Sequence, residues 1–458
     1  MNSMLRGRIP ARQRWLAGAI AALLLASIAT VAAAQSPQSA DQPDLQRWLA
    51  MTARQDEAMP TGTKITMSNW PRYSQYMPMG MQDLFSGRYF WKMPAAVEID
   101  VGPTVIHPLP RTYIGADRND TRVVHLPNGR NDISGYAGGE PFPNPLEPDK
   151  GYKLLVDLWF AYAPHLIAGT PVNLFRTCVV DRYANLSCTL LNYVYRQTAY
   201  NTDPGTLRDD ARAGDVWFTE WTSVEAPEQS KYTAQLTQFF KDNQRPQELY
   251  VYIPAFRRSI RLGVPARCTQ VVGTDYLQDD ARNIGFNGGI ALFDARFLGH
   301  RKILALTGNY PALAGDFPVS YYAPIGWPMP SWGRWQLRDV DVIDVRRVPA
   351  ERAGYCYGSR VIYEDSYTHY ALWEDVYDAN LRLWKLALLA PRDTPGPGLG
   401  LVPASVTSSI WDVQNNHMTT GTTQDKYGHD VFINSDVPAE YQDFAKYATP
   451  GGLIQIMK

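Results

Sequence analysis

The chain has 458 residues, of which 45% are hydrophobic and 19% are charged, and its 44 Lys and Arg residues nearly balance its 45 Asp and Glu residues. A formal net charge of -1 argues against a dedicated nucleic-acid-binding protein, which needs excess positive charge to bind phosphates, and the plentiful aromatic residues exclude a disordered chain. A globular chain of this length can bury a large hydrophobic core.

The first 34 residues differ from everything that follows. An uncharged stretch of 20 residues, from Trp15 to Ala34, is rich in Leu and ends in three alanines. It follows four basic residues, Arg6, Arg8, Arg12 and Arg14. A basic start, an apolar middle and small residues at the end are typical of a signal peptide, so we predict export with cleavage after Ala34. The alternative is an uncleaved membrane anchor, since 20 residues could just span a bilayer.

Cleavage would leave a mildly acidic protein of 424 residues with 40 basic and 45 acidic groups, a net charge of -5. The leader has no cysteine that could take a lipid. We therefore predict an unlipidated periplasmic protein. Its predicted segments are a signal peptide over residues 1–34, an N-terminal helical segment over residues 35–86, and one domain over residues 87–458.

Three stretches have helical patterns. The apolar residues between Leu45 and Met51 recur at the spacing of a short amphipathic helix. Residues 68–85 form a second pattern, although two prolines limit its regularity. Residues 151–168 are apolar on most sides, and Pro164 would end or kink a helix there. A helix that apolar must be buried, and we place it on the concave face of a sheet.

After residue 86 the chain changes to short alternating runs separated by Gly, Pro and Asn, which are typical of strands and turns. Predicted strands cover residues 96–101, 172–180, 190–195, 217–221, 249–253, 340–345, 360–363, 370–377 and 381–388. The clearest hairpin joins the last two across residues 378–380. Residues 321–335 and 394–403 are predicted to be loops. Strands at this spacing indicate a large antiparallel sheet.

All four cysteines lie in the exported part of the chain, where an even number suggests disulfides. Four cysteines allow three pairings, and the sequence does not choose among them rigorously. Cys178 and Cys188 flank a pattern of two short strands and a turn, so a cross-strand bridge there is favoured and leaves Cys268 to pair with Cys356. Zinc is the competing use of cysteine, but ligand spacing is absent, and we predict neither a metal nor a cofactor.

A search for catalytic motifs finds no nucleophile elbow, phosphate loop or zinc-protease motif. Titratable residues do cluster at Glu364, Asp365 and His369, and these three are candidates for acid/base catalysis. Adjacent acids on a strand point to opposite faces, so each face would receive one acid. Solvent-facing strand charges are the simpler interpretation of the same residues.

Two other clusters are candidates for contacts with a ligand or a partner. Four arginines fall within 11 positions after the strand 249–253, and they are Arg257, Arg258, Arg261 and Arg267. Because arginine binds phosphate and carboxylate bidentately, this cluster is a candidate rim for an anionic head group, an acidic partner or a membrane surface. The alternative is a solvated strand edge. Three tryptophans form a candidate lid or an exposed contact patch, namely Trp327, Trp332 and Trp335.

Several segments resemble the family known as domain of unknown function thirteen-twenty-nine. The resemblance runs from about residue 61 to the C-terminus. Its motifs are residues 132–155 with Pro-Phe-Pro at 141–143, the strand 250–254 with the arginines after it, and residues 361–384. Members are exported proteins similar to the carriers that sort lipoproteins to the outer membrane. This resemblance implies a β-rich α+β fold, in which helices cover an apolar cavity in a large, strongly curved antiparallel sheet, a half-barrel.

The resemblance and the composition together lead to one main hypothesis, a non-enzymatic periplasmic protein that binds and transports a lipid or another hydrophobic molecule. The resemblance also implies an outer-membrane β-barrel and an inner-membrane exporter as partners. Aromatic residues, 12% of the chain, could line the cavity. The alternatives are an exported hydrolase that uses Glu364, Asp365 or His369, and a structural adaptor of an envelope complex.

Overall fold

A computed structural model describes residues 43–52, 59–115, 120–170, 174–263, 267–282, 285–308, 317–422 and 431–456. All of these residues belong to one compact unit. The predicted signal peptide, residues 1–34, lies outside the described residues. Among the residues described, no helix is both long enough and apolar enough to cross a membrane.

Helices make up a small part of the described chain. The α-helices are α1 (Pro43–Thr52), α2 (Trp70–Tyr73), α3 (Met79–Ser86), α4 (Arg111–Ile114), α5 (Lys150–Trp159) and α6 (Phe444–Tyr447). The helix predicted over residues 68–85 is split, because Pro78 has no N–H to continue a helix and instead precedes the first turn of α3. The helix predicted over residues 151–168 is too long, since α5 ends at Trp159 and residues 166–169 form a strand. Pro164 favours an extended backbone at the residue before it.

The rest of the ordered secondary structure is β. The first ten strands are β1 (Lys64–Thr66), β2 (Glu98–Asp100), β3 (Arg122–His125), β4 (Asn131–Ser134), β5 (Leu166–Gly169), β6 (Phe175–Val180), β7 (Leu186–Gln197), β8 (Val216–Ala226), β9 (Ala234–Phe240) and β10 (Glu248–Ile253). The others are β11 (Arg258–Leu262), β12 (Phe293–Ala305), β13 (Tyr321–Tyr322), β14 (Trp327–Pro328), β15 (Gln336–Arg347), β16 (Tyr357–Asp365), β17 (Ala371–Asp378), β18 (Leu383–Gly396), β19 (Gly400–Asp412), β20 (His417–Thr422) and β21 (Phe432–Ile433).

Fifteen of these strands form a single antiparallel sheet, as the strand spacing predicted. Its main path runs β11, β10, β9, β8, β7, β6, β20, β19, β18, β17, β16, β15 and β12. β5 pairs with β7 and with β21 beside this path. The end strands β11 and β12 do not pair with each other within the described residues, so the sheet is open.

The sheet is strongly curved. β9 and β12 are ten strand spacings apart along the main path, which would be about 48 Å in a flat sheet. Three ring contacts nevertheless connect Phe239 in β9 to Phe293 in β12. Trp159 at the end of α5 lies 5.8 Å from Phe239 and 6.2 Å from Phe286, which in turn lies 5.3 Å from Phe293. The sheet therefore curls around the end of α5, as a half-barrel does.

Both faces of the sheet are buried. We call the face that packs on α5 the inner face, and its core includes Ile343 and Ile362. The opposite, outer face carries the neighbouring residues Val342 and Val361, because side chains alternate along a strand. Residues 45–52, 59–101 and 317–335 cover the outer face of β15 to β20. Residues 437–456, near the C-terminus, cover the outer face at β8 and β9.

Both predicted disulfides are confirmed. Cys178 and Cys188 lie directly opposite each other on β6 and β7, with their Cα atoms 4.1 Å apart. Cys268 and Cys356 are joined across 88 residues, with their Cα atoms 5.8 Å apart. The second bond ties residues 267–282, which we call the roof segment, to the residue before β16.

Candidate ligand cavity

A cavity opens on the inner face of the sheet. Its empty space is about 820 Å³, a value that includes its open mouth. Strands β6, β7 and β8 form one wall, β18 and β19 form the other, and the roof segment covers it. The apolar and aromatic lining residues are Phe175, Leu191, Tyr193, Val271, Val272, Tyr276, Leu389 and Val406. A lining that is mostly apolar and aromatic, with a few polar groups, is typical of a small-molecule site.

A glycine between the two walls makes room for the cavity. Gly421 lies in β20, the strand between β6 and β19. A Cβ atom at this position would come within 3.0 Å of the Phe175 ring and the Tyr276 hydroxyl, and within 3.1 Å of the Ser408 hydroxyl. Any larger residue would therefore press into three groups of the wall and roof.

The roof segment is fixed to the sheet at several points. Besides the Cys268 disulfide, the backbone N–H of Asp275 donates to the Thr419 hydroxyl at 3.0 Å, and that hydroxyl donates to Asp275 Oδ2 at 2.7 Å. The Tyr276 hydroxyl also hydrogen-bonds the Ser408 hydroxyl. These contacts hold the roof over the cavity along its length.

Buried charges pair where the roof meets β16, β17 and β18. The Arg360 side chain is 1% exposed, and its Nη2 lies 2.6 Å from Glu374 Oε2 and 3.2 Å from Asp280 Oδ1. Lys385 Nζ donates to the Tyr357 hydroxyl at 2.9 Å and lies 3.8 Å from Asp280 Oδ2. Burial raises the pKa of Glu374 to about 7, against the effect of Arg360, and burial lowers the pKa of Lys385. Asp280 of the roof segment thus forms ion pairs with two cations of the sheet, Arg360 and Lys385.

The cavity also has polar lining groups, chiefly Glu220 and Arg282. Glu220 is buried in β8, and its Oε2 accepts a hydrogen bond from Asn287 Nδ2 at 3.2 Å. Burial raises its pKa to about 7, although Arg282 and Asn287 act in the opposite direction. At neutral pH this carboxyl group is therefore present in both protonation states.

Arg282 is held by aromatic rings. Its guanidinium carbon lies 4.8 Å from the ring centroid of Trp159, 5.4 Å from that of Trp217 and 4.4 Å from that of Phe218. Its Nη1 donates to the Trp159 carbonyl at 2.9 Å. Cation–π contacts and this hydrogen bond fix the charge at the end of α5.

The structure brings two of the three candidate catalytic residues together and places the side chain of the third elsewhere. His369 is 4% exposed, with Nδ1 2.7 Å from Glu364 Oε1 and Nε2 2.8 Å from Glu140 Oε1. Burial lowers the pKa of His369, but its hydrogen bonds to the two glutamates outweigh burial and hold the pKa well above the usual value. Asp365 instead binds Arg338 bidentately, at 2.7 and 3.1 Å. In the described part of the chain, no group of three His, Cys, Asp or Glu residues could hold a metal ion.

The predicted arginine cluster is divided between two places. Arg257, Arg258 and Arg261 are exposed on or beside the edge strand β11. Arg267 is not part of this surface, because it is 6% exposed and its Nε lies 2.8 Å from Asp279 Oδ1. It lies beyond the end of β11, in the roof segment, where Gln247 and the Gly288 carbonyl also accept its hydrogen bonds. A single rim of four arginines is therefore the wrong description.

The three tryptophans do not form an exposed contact patch. Trp327 and Trp332 are fully buried, and Trp335 is 2% exposed. Trp327 stacks on Trp335 at 5.1 Å, and the Phe85 ring of α3 contacts Trp327 at 5.8 Å. They belong to the outer-face core, on the side of the sheet opposite the cavity, because their large apolar area is removed from water there.

Sequence reasoning missed the polar residues of the cavity. Glu220 was detectable as the one acid inside the apolar run Trp217–Trp221, although such a run does not show that a cavity lies beside it. Asp280 and Arg282 lie in a polar segment without strand or helix periodicity. Their partners are remote in sequence, so a local pattern does not reveal them.

Solved structures with a similar arrangement share little sequence with this chain. A DUF1329 family protein from Desulfovibrio piger is 12% identical with a TM-score of 0.44, covering 66% of this chain and 100% of that one. A domain from Vibrio parahaemolyticus, described as an outer-membrane lipoprotein-sorting protein domain, is 12% identical with a TM-score of 0.43, covering 64% of this chain and 96% of that one. A LolA-superfamily protein from Nitrosomonas europaea is 10% identical with a TM-score of 0.35, covering 63% and 94%. At these values the likeness supports no functional conclusion.

Most of the chain matches one protein-family model. No curated protein matches the chain. The family described as protein of unknown function (DUF1329) matches residues 64–452, which include the whole curved sheet, the roof segment and the cavity. The sequence motifs at residues 132–155, 250–261 and 361–384 lie within that match. The chain therefore belongs to the DUF1329 family, as its motifs predicted.

Proposed function

We propose that this protein is a non-enzymatic periplasmic carrier that binds a lipid or another hydrophobic molecule. The main support is the cavity, which is lined largely by apolar and aromatic side chains and is covered by a tethered roof. Burial of apolar surface contributes about 25 cal/mol per Å². Such a lining can therefore hold an acyl chain without covalent chemistry.

Ligand binding tests this proposal. Delipidated protein should bind the fluorescent apolar probe N-phenylnaphthylamine saturably. Val406→Phe, which adds a ring inside the cavity, should weaken binding roughly ten-fold because the ring occupies ligand volume. Val319→Phe is the matched control, since Val319 is 80% exposed and does not line the cavity. Absence of saturable binding, or equal effects of the two substitutions, would contradict the proposal.

We also propose that the leader is removed after Ala34 and that the mature protein works in the periplasm. The two disulfides support this, because such bonds persist in oxidising compartments. The intact mass of protein from a periplasmic fraction decides the question. We expect a chain that lacks its first 34 residues, whereas the uncleaved mass of 51.5 kDa would contradict the proposal.

We further propose that the exposed arginines of the edge strand β11 contact an acidic surface on an envelope partner, either an outer-membrane β-barrel or an inner-membrane exporter. Arg258 and Arg261 lie at an end of the open sheet, beside the exposed Phe256. Reversal of both charges, Arg258→Glu with Arg261→Glu, should abolish cross-linking to the partner and leave probe binding unchanged. Arg72→Glu, an exposed position on α2, is the control. Cross-linking that survives the double reversal would rule out this contact.

A further inference from the structure

Two buried polar atoms in the cavity wall have no hydrogen-bond partner among the described residues. They are Oε1 of Glu220 and the hydroxyl oxygen of Tyr193. Both residues line the cavity, and Glu220 is only 8% exposed. Burying a polar atom without a partner is costly, so protein interiors rarely do it. Both atoms belong to side chains that line one cavity, where a polar group of a bound molecule could satisfy them.

The strand register brings the two side chains together. On β7 and β8, Tyr193 lies opposite Thr222 and Tyr195 lies opposite Glu220. Directly opposed residues of an antiparallel pair point to the same face, and residues two apart on one strand share that face. Glu220 is therefore the diagonal neighbour of Tyr193. Burial, followed by the charge of Glu220, holds the pKa of the Tyr193 hydroxyl well above its usual value, which agrees with this proximity.

The chemistry of the two atoms selects among ligand head groups. A ligand hydroxyl can donate to Glu220 Oε1 and accept from the Tyr193 hydroxyl at the same time. An ether oxygen can only accept. A carboxylate would bring negative charge beside Glu220 and Asp280, which both line the cavity. Arg282, the cation of the lining, is already held by the Trp159 carbonyl and the rings around it.

We infer that the ligand is an amphiphile with an uncharged hydroxyl group, and that Glu220 and Tyr193 bind this hydroxyl. The inference rests on the carrier function proposed above and adds the polar end of the ligand to it. The apolar part of the ligand then lies along Leu389 and Val406, beneath the roof segment.

Competition against N-phenylnaphthylamine tests the head group. Three competitors share one chain length and differ at the head: dodecanol, dodecyl methyl ether and dodecanoate. At about pH 8.5, where Glu220 is mostly ionised and only accepts, dodecanol should displace the probe at concentrations roughly ten-fold lower than either of the others, because only dodecanol then makes both hydrogen bonds. A stronger effect of dodecanoate, or equal effects of dodecanol and the ether, would overturn the inference.

Variants test the residues. Tyr193→Phe removes a hydroxyl that has no hydrogen-bond partner among the described residues, so it should leave the free energy of unfolding unchanged and weaken dodecanol roughly five- to ten-fold more than it weakens the probe. Glu220→Leu should weaken dodecanol by a similar factor. Tyr195→Phe is the control on the same face of β7, because its hydroxyl already donates to Gln197 Oε1 at 3.3 Å. Equal dodecanol affinity in Tyr193→Phe and Tyr195→Phe would show that water satisfies the two atoms, and would overturn the inference.

The two proposals fail in different ways. If the probe binds saturably and Val406→Phe weakens it, the carrier function stands even when dodecanol shows no preference. If the probe does not bind at all, the carrier function fails, and the inference about the hydroxyl falls with it.

Discussion

The inner and outer faces of the sheet are both buried, but by different means. On the outer face, Trp411 lies 5.9 Å from Trp327 and 6.0 Å from Trp373, within a continuous apolar core. On the inner face, Arg360 and Glu374 form a buried ion pair at the edge of the roof, next to a cavity. A single strand contributes to both, since Trp373 and Glu374 are neighbours on β17.

This difference shows how one sheet can have a stable core on one face and a cavity on the other. Apolar side chains gain stability by filling space, so the outer face is closed. Ion pairs and a disulfide fix the roof at particular points and leave the space between those points empty. We therefore expect outer-face substitutions to change the free energy of unfolding, and inner-face substitutions to change ligand binding as well.

Removal of the roof disulfide should have the largest effect. In the chain-entropy model, a bond across 88 residues stabilises the folded state by about 4 to 5 kcal/mol. Cys268→Ser with Cys356→Ser should therefore lower the free energy of unfolding by this amount and weaken probe binding. Cys178→Ser with Cys188→Ser, which opens a shorter loop, should cost about 3 kcal/mol. Denaturant titration measures the stability loss of each double variant, and probe binding measures its loss of affinity. Equal losses in the two variants would show that the roof disulfide contributes no more than the hairpin disulfide.

Trp327→Ala tests the outer face. Loss of a fully buried tryptophan should cost about 3 to 4 kcal/mol in unfolding free energy. Because Trp327 lies on the far side of the sheet from the cavity, the folded variant should bind the probe with unchanged affinity. Weaker probe binding by folded protein would show that the two faces are coupled.

Arg360→Met tests the ion pairs of the inner face. The change leaves Glu374 buried without its cation and Asp280 with Lys385 as its remaining cation, at a cost of about 3 kcal/mol near pH 8. The cost should be smaller near pH 5.5, where Glu374 binds a proton. Denaturant titration at both pH values measures the difference. A cost independent of pH would contradict a charge-based role.

Asp375→Asn should have the smallest effect and concerns a carboxyl buried on the outer face. Burial raises the pKa of Asp375 to about 7, although Trp373 and Tyr363 donate to it. Since the folded pKa lies above the unfolded value of about 3.9, the stability from protonated Asp375 is fully present below that lower value and is lost as the pH rises through about 7. Asparagine cannot ionise. Relative to the wild type, the variant should therefore gain about 2 to 3 kcal/mol between pH 5 and pH 8, measured by denaturant titration. A constant difference would refute the raised pKa.

Local sequence patterns predicted the sheet better than the helices. The strand expected over residues 370–377 is observed as β17, Ala371–Asp378, because alternation and turn residues are local signals. The cross-strand disulfide followed from the same kind of pattern. The long helix predicted over residues 151–168 failed because the apolar residues after Trp159 are equally suitable for a strand, and pairing with β7 and β21 decides their structure.

The candidate site was much less predictable. Arg360 and Asp280 are 80 positions apart and meet only because the roof folds back on the sheet. The four arginines near residue 260 are close in sequence, but Arg267 turns inward once β11 ends. The Pro-rich tryptophan segment suggested a surface, whereas tertiary packing buries its rings. Long-range contacts decide each of these outcomes, and periodicity contains no information about them.

The disulfide between Cys268 and Cys356 also has a consequence for the timing of maturation. Its thiols join only where the surroundings are oxidising. A chain that is exported unfolded therefore completes the tether of its roof after it has crossed the inner membrane. On that proposed route, hydrophobic molecules on the cytoplasmic side would not meet the tethered binding site. If the chain is exported as proposed, oxidation completes the tethered roof only in the compartment where the proposed ligand would be bound.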